Sequence, residues 1–247
     1  MEWQDHGTVL AVRKYGETSV VVEVFTEGHG RHAGVVRGGV SRKMTPHLQP
    51  GGHISVTWKA RLEDHLGSFV VEPIRSRAAD VMNDALALEG LNTLAALLTS
   101  TLPEREPHAY LYAETMGLFD RLGTDPNWPL AYLHWEVSLL EELGFGLDLS
   151  ACAVTGSPDD LAYVSPKSGR AVSRQGAGEW ADRLLPLPQS LLGQSSLDYA
   201  EIIAGMTTTG HFIAKILAEL SDKPLPQARA RLLDRLAKKA AQAAPPF

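Results

Sequence analysis

The sequence predicts an α+β protein in which a small closed β-barrel precedes a helical domain. Three observations support this prediction. Five short strand-like runs, separated by glycine and proline, fill the first ~75 residues. The apolar spacing then changes near Arg77 to the three- and four-residue pattern of helices. A polar, glycine-containing stretch interrupts the helical part, and it is too long for a simple connection.

The predicted strands alternate apolar residues with surface residues, and the second is rich in valine, which suits a pleated surface. The breaks KYGE, TEGHG, TPHLQPGG and EDHLG contain the glycine or proline that tight turns require. Five short strands in so few residues favour a closed barrel over a sandwich. The five strands are Gly7–Arg13, Thr18–Phe25, Gly30–Arg37, His53–Arg61 and Ser68–Ile74.

Six amphipathic segments predict the helices of the second part, with Pro129 in the first turn of the third and Gly144 after its last apolar residue. The predicted helices cover residues 78–102, 108–123, 126–146, 190–205, 207–221 and 225–243. The domain limits that follow are 1–77 for the barrel and 78–247 for the helical domain, with an insert at 152–176.

The insert contains LAYVSPKSGRAV, which predicts a β-hairpin with Pro166–Gly169 as its turn. Two C-x-x-C pairs here would hold a tetrahedral zinc ion, but only Cys152 is a thiol. Thr155, Ser173 and Gly176 stand at the other three positions. We therefore predict no metal and expect Cys152 to be a small buried residue.

Charge is distributed unevenly along a chain whose formal net charge is −6. Residues 1–77 carry ten Lys/Arg and eight Asp/Glu, residues 78–221 carry seven and nineteen, and residues 222–247 carry six and two. This pattern predicts local contact with an anion rather than attraction over the whole surface. A single cysteine, the lack of a signal-peptide pattern and the lack of a long apolar run predict a cytoplasmic protein without a membrane segment.

A basic set in the barrel is the main candidate site, because Arg and Lys neutralise phosphates independently of base sequence. Tyr15 is the best candidate for base stacking, whereas Trp58 and Phe25 are expected in the core. The alternative interpretation is an ordinary solvated surface. The predicted DNA-binding residues are Arg13, Lys14, Tyr15, Arg31, Arg37, Arg42, Lys43, Lys59 and Arg61.

The C-terminal amphipathic helix offers a possible second basic contact through Arg229, Arg231 and Arg235, with a solvated helix face as the alternative. The histidines in GHGRHAG are interpreted as surface or phosphate-adjacent residues, because no convergent ligand set accompanies them. No nucleophile elbow, phosphate-binding P-loop or paired-carboxylate motif is present. We therefore predict no catalytic residue and no cofactor.

Several segments together resemble the RecO family of bacterial recombination and repair proteins. They are RKYGETSVVVEVFTEGHGRHAGVVRGG, CAVTG with DLAYVSPKSGRAVS, TTTGHFIAKILAEL and LPQARARLLDRL, and the resemblance covers nearly the whole chain. It implies an N-terminal OB-fold, a helical domain, and an insert that in some members binds zinc through four cysteines. The chain departs from that pattern at Thr155, Ser173 and Gly176.

The resemblance also implies a non-enzymatic recombination mediator that binds single- and double-stranded DNA and anneals complementary strands. Its implied partners are RecR, RecF and RecA, together with the C-terminal tail of single-stranded DNA-binding protein. Three alternatives stay open: an RNA-binding OB-fold protein of translation or ribosome assembly, a metal-dependent nuclease using the histidines of the first domain, and a structural scaffold.

Overall fold

A computed structural model describes residues 1–194 and 197–243. The chain forms two compact units, Met1–Asp125 and Pro126–Phe247. The first unit contains the barrel together with three helices that follow it. The domain limits predicted above follow the change of secondary structure at residue 77 and stay a prediction.

Five strands close into a barrel in the order β1-β2-β3-β5-β4, with β4 pairing back onto β1. This confirms the predicted barrel, and a closed barrel leaves no free sheet edge. All pairs are antiparallel except β3 with β5. The strands are β1 (Glu2–Tyr15), β2 (Ser19–Thr26), β3 (Gly30–Val36), β4 (Gly52–Lys59) and β5 (Ser68–Ser76).

The first strand begins five residues earlier than predicted, because Glu2–His6 pair with Lys59–Ser55 of β4. The barrel interior is filled by valines of β1–β3, by Ile54 and Val56, and by the aromatic rings of Trp58 and Phe69. Phe25 is also fully buried. The prediction that Trp58 and Phe25 are core residues is therefore confirmed.

Three helices complete the first unit: α1 (Arg77–Val81), α2 (Ala85–Thr101) and α3 (Ala109–Arg121). The predicted helix 78–102 is in fact two helices, because Asp84 ends the first segment and caps the second. Its carboxylate accepts hydrogen bonds from the backbone N–H groups of Leu86 and Ala87. The buried Arg77 donates from Nε to Asp120 at 2.9 Å and joins α1 to α3.

The second unit contains α4 (Trp128–Glu142), a three-stranded sheet, and two long C-terminal helices. The predicted hairpin is confirmed, since β6 (Leu161–Val164) pairs with β7 (Ala171–Ser173), and a short β8 (Leu185–Pro186) adds to the other edge of β6. A one-turn helix α5 (Arg174–Ala177) follows, with 3₁₀ turns at Gly178–Arg183 and Gln189–Leu192. The last helices are α6 (Tyr199–Ser221) and α7 (Gln227–Ala243).

The predicted division into helices 190–205 and 207–221 is wrong, because α6 runs unbroken from Tyr199 to Ser221. Positions 195 and 196 of the first predicted helix lie outside the described residues. The glycines of α6 serve packing rather than helix termination. A Cβ at Gly205 would lie 2.6 Å from Leu133, and one at Gly210 would lie 2.6 Å from the Arg229 guanidinium.

Across residues 1–194 and 197–243, no helix has both the length and the apolar character needed to cross a membrane.

Candidate nucleic-acid interface

Six exposed cations surround one end of the barrel, and we call them the basic surface. The register places them together: Lys14 of β1 lies opposite Val20 of β2, and Val20 lies opposite Val36 at the end of β3. The loop after β3 starts beside the β1–β2 turn, where the N–H of Val40 donates to the carbonyl of Thr18. The basic surface consists of Arg13, Lys14, Arg37, Arg42, Lys43 and Arg61.

A row of neighbouring residues crosses the barrel wall and joins the two ends of this surface. It runs from Arg13 on β1 through Val21, Val35 and Ser68 to Lys59 on β4. Val20, Val22 and Trp58 face the core, so by alternation Arg13 and Lys59 face outward. Four strand spacings of ~4.8 Å make the row roughly 19 Å long. Val21 within the row is buried, so the row shows that the cations at its ends are neighbours across the wall, and a bound strand would lie along the exposed loops.

The six cations have no ion-pair partner among residues 1–194 and 197–243. Glu17 in the β1–β2 turn is an exposed carboxylate of the same region. Glu63 and Asp64 are exposed carboxylates close to Arg61 in sequence. A polyanion approaching this surface therefore meets an excess of positive charge that is not held in ion pairs. An ordinary solvated surface explains any single one of these residues, but it accounts less well for the whole set.

Two predicted DNA-binding residues are already paired. Arg31 is half-buried and donates from Nη1 to Glu23 at 2.9 Å, and Glu104 of the segment after α2 lies 3.5 Å from the same nitrogen. Its Nε also donates to the carbonyl of Leu102. Lys59 forms an exposed ion pair with Glu2 at 3.0 Å. Arg31 therefore fastens the barrel to its helices, whereas Lys59 can exchange a weak surface pair for a phosphate.

Tyr15 ends β1 at the edge of the basic surface, and its side chain is 55% exposed. An exposed aromatic ring beside unpaired cations is the arrangement on which a base can stack. Tyr15 therefore stays a candidate for stacking.

The assignment of Arg229 to a surface contact is corrected, because only 3% of this residue is exposed. Its guanidinium donates from Nε and Nη2 to the two oxygens of Glu136, at 2.8 and 2.9 Å. Glu136 is fully buried, and it also accepts hydrogen bonds from the hydroxyls of Tyr132 and Thr209. Burial opposes the charge of Arg229, but the Glu136 carboxylate raises its pKa above the ordinary value. Arg231 and Arg235, on the same helix, are exposed and half-buried.

A cavity at the mouth of the barrel was not predicted. It measures about 250 Å³, and its walls include Trp3, His29, His32, Trp58 and Arg105. The interpretation of the GHGRHAG histidines as surface residues is wrong for His32, which is 4% exposed. His32 lies opposite Val24, a core residue, so it points into the barrel. A sequence signal existed: His32, Gly34 and Val36 share one face of β3.

The insert surrounds the one cysteine of the chain, whose buried thiol accepts hydrogen bonds from three backbone N–H groups, those of Val154, Thr155 and Ser173. The Ser173 hydroxyl lies 3.3 Å from this sulfur, and a Cβ at Gly176 would lie 2.8 Å from it. The four positions of the zinc pattern thus converge. One thiol, two hydroxyl side chains and a glycine do not fit a zinc ion, which needs four good donors.

The thiol environment predicts a pH-dependent stability. Burial opposes ionisation of Cys152, but the hydrogen bonds from Ser173 and Thr155 outweigh it and lower its pKa from 9.0 to about 6. A group whose pKa is lower in the folded state stabilises that state fully at a pH above its pKa in the unfolded state. This stabilisation is lost as the pH falls toward its pKa in the folded state. Relative to Cys152→Ala, the wild-type free energy of unfolding is expected to rise between pH 6 and pH 9. Denaturant titrations at each pH test this, and parallel curves for the two proteins would refute it.

The fold and the basic surface define a class: a closed five-stranded OB-type barrel with a cationic outer edge, followed by a helical region. Family models match most of the chain. A family model described as Recombination protein O N terminal matches residues 1–77, and one described as Recombination protein O C terminal matches residues 82–236.

Similar proteins carry the name DNA repair protein RecO. The one from Cereibacter sphaeroides (strain ATCC 17029 / ATH 2.4.9) is 59% identical over 239 residues, which cover 96% of this chain and 99% of the relative. The one from Roseobacter denitrificans is 59% identical over 240 residues, covering 97% and 100%. The one from Jannaschia sp. (strain CCS1) is 54% identical over 237 residues, covering 96% of each. The chain belongs to the RecO family.

Proposed function

We propose that this chain is a DNA repair mediator that works by binding rather than by catalytic turnover. It holds single- and double-stranded DNA on the basic surface of the barrel and anneals complementary strands. Together with RecR and RecF, it helps to load RecA onto DNA coated by single-stranded DNA-binding protein. We place this activity in the cytoplasm, at the nucleoid.

The observation that carries the proposal is the set of six exposed cations without local carboxylate partners, on the barrel of a RecO-family chain. Cations in this arrangement bind phosphates and release counterions, so they favour any nucleic-acid sequence equally. Two strands held on one positive surface repel each other less, and this favours their pairing. The excess of carboxylates in residues 78–221 leaves the helical region for contacts with proteins.

The RNA-binding alternative is not favoured, because the similar proteins are named for DNA repair. Competition tests it directly. Phosphate contacts alone do not select the 2′-hydroxyl of RNA, so an unlabelled RNA is expected to displace labelled DNA no better than a DNA of the same sequence. An RNA preference of tenfold or more would contradict the proposal.

A second assay measures annealing. Complementary DNA oligonucleotides are expected to anneal faster with the protein than without it.

The partner contacts need a separate experiment. The tagged chain is expected to retain RecR and single-stranded DNA-binding protein on a column. It is expected to lose single-stranded DNA-binding protein when the acidic C-terminal tail of that partner is deleted. Retention of neither partner would remove the mediator part of the proposal and leave only a DNA-binding protein.

Labelled DNA incubated with the chain and Mg²⁺, Mn²⁺ or Zn²⁺ is expected to stay intact, which separates the proposal from the nuclease alternative.

A further inference from the structure

The loop between β4 and β5, residues 60–67, carries one cation of the basic surface, Arg61. The loop begins fixed to the start of the chain, because the N–H of Ala60 donates to the carbonyl of Met1 at 3.1 Å and the amino group of Met1 donates to the carbonyl of Ala60 at 2.7 Å. It ends fixed to the barrel, where the carbonyl of Leu66 accepts from the indole N–H of a core tryptophan at 3.1 Å. Both ends of the loop are therefore held by the barrel.

The middle of the loop is held by a side chain from a distant segment. The guanidinium of Arg105, which follows α2, donates from Nη1 to the carbonyl of Glu63 at 2.5 Å and from Nη2 to the carbonyl of His65 at 3.0 Å. Within residues 1–194 and 197–243, no other group outside the loop forms a hydrogen bond or an ion pair with residues 62–65. Arg105 is therefore the main restraint on this part of the loop.

The backbone around Arg105 is itself fixed against β3. The N–H of Arg105 donates to the carbonyl of Arg31 at 2.7 Å, and the Nε of Arg31 donates to the carbonyl of Leu102 at 3.0 Å. The segment passes so close to β3 that a Cβ at Gly30 would lie 1.9 Å from the carbonyl oxygen of Glu106. The side chain of Arg105 thus reaches the loop from a rigid base.

The backbone conformation of Arg105 is unusual for an arginine. Its φ is 65°, in the left-handed region that favours glycine. Such a conformation is unfavourable for a residue with a side chain, and it persists where surrounding contacts fix it, often at functional sites. A glycine here would relieve the backbone but would lose both hydrogen bonds to the loop. Arginine suits this position because its planar guanidinium presents N–H groups in a fixed fork that reaches two carbonyls at once.

We propose that Arg105 is a positioning residue for DNA binding, which orders the β4–β5 loop so that Arg61 is presented to the bound strand. This inference rests on the proposed function and names the residue that prepares one of its phosphate contacts. Arg61 lies between two fixed points of the loop, Ala60 and Glu63. A strand that binds an ordered loop does not have to order it, and this raises affinity without any contact between the strand and Arg105.

The competing interpretation is that Arg105 itself binds a phosphate, and salt dependence separates the two. The cost of ordering a loop does not involve counterions, whereas a lost phosphate contact reduces the slope of log affinity against log salt by about 0.7 for a single strand. Arg105→Lys keeps the charge but removes the fork. It is expected to bind a 20-nucleotide oligothymidylate about two- to tenfold more weakly than wild type at every salt concentration, with the slope unchanged.

Two further variants complete this comparison. Arg105→Ala is expected to give the wild-type slope as well, because its charge matters to the slope only if Arg105 contacts a phosphate. Arg121→Lys, at an exposed arginine of α3, is the matched control and is expected to keep the wild-type affinity.

A double-mutant cycle connects the effect to Arg61. If Arg105 acts through Arg61, Arg105→Lys is expected to weaken binding in the wild-type background and to change it by less than about twofold in the Arg61→Ala background. A role confined to stability would lower the free energy of unfolding of Arg105→Lys, and its effect on binding would not depend on Arg61.

NMR order parameters of the free wild-type chain measure the loop directly and do not depend on how a variant folds. The amides of residues 62–65 are expected to have values near 0.85, typical of rigid backbone, and lower values in Arg105→Lys. Values below about 0.6 in the wild type, an unchanged affinity in Arg105→Lys, a reduced slope in Arg105→Ala, or an equal loss with and without Arg61 would overturn the positioning role while leaving the basic surface intact. Failure of the wild type to bind the strand at low salt would overturn the proposed function and the positioning role together.

Discussion

Glu136→Ala is expected to lower the free energy of unfolding by about 3–5 kcal/mol, because it leaves the buried guanidinium of Arg229 without a counter-charge. Arg229 would keep the carbonyl of Met206 and the hydroxyls of Thr209 and Tyr132 as neutral partners. The hydroxyl of Tyr132 would lose its acceptor as well. Denaturant unfolding of the purified variant measures this loss.

Two further variants make the result specific to the ion pair. Lys238→Ala removes an exposed charge from the helix that carries Arg229, and it is expected to change stability by less than about 0.5 kcal/mol. Glu136→Gln combined with Arg229→Met removes both charges, and it is expected to cost much less than Glu136→Ala. A loss below about 1 kcal/mol in Glu136→Ala would show that the pair does not hold α4, α6 and α7 together.

Neutralising all six residues of the basic surface is expected to abolish most of the salt dependence of DNA binding. Each phosphate contact on a single strand contributes about −0.7 to the slope of log affinity against log salt. Six contacts give a slope near −4, so wild-type affinity falls roughly 300-fold between 50 and 200 mM salt. The six-alanine variant is expected to bind weakly at the lower salt concentration and to change little with salt.

A stepwise series separates location from net charge. Arg37→Ala with Arg42→Ala is expected to reduce the slope by about 1.4. Arg170→Ala with Arg183→Ala removes the same charge from exposed positions of the second unit and is expected to leave the slope unchanged. Equal effects of the two pairs would mean that overall charge, rather than the barrel surface, governs binding. All six residues of the basic surface are exposed, so the circular dichroism spectra of these variants are expected to match that of the wild type.

The barrel was predictable because its local signals agree with one another. Valine-rich alternation and turn glycines predict the bounds of four strands to within two residues of the observed bounds at each end. The start of β1 was missed because Glu2–His6 contain no β-branched residue, and their pairing with β4 is a long-range contact. The false division of α6 has a similar cause: Gly205 resembles a helix end in sequence, but in the structure it makes room for Leu133.

The site was only partly predictable, for a different reason. Charge type and strand position identify cations, but they do not reveal which carboxylates arrive from distant segments. Glu104 reaches Arg31, and Glu136 reaches Arg229, across separations that no local pattern records. The cavity was missed because its walls come from three strands, the β2–β3 turn, the β4–β5 loop and the segment after α2, and it forms only when the barrel closes. Trp3 and His32 show this most clearly, since each looks unremarkable in its own segment.

Amide hydrogen exchange of the intact chain, with and without a 20-nucleotide oligothymidylate, tests the central claim most directly. If the barrel surface holds the strand, exchange slows in the β1–β2 turn at 15–19 and in the loops at 37–51 and 60–67. Slowing confined to α7, with the barrel loops unchanged, would contradict the account and move the interface to the C-terminal helix.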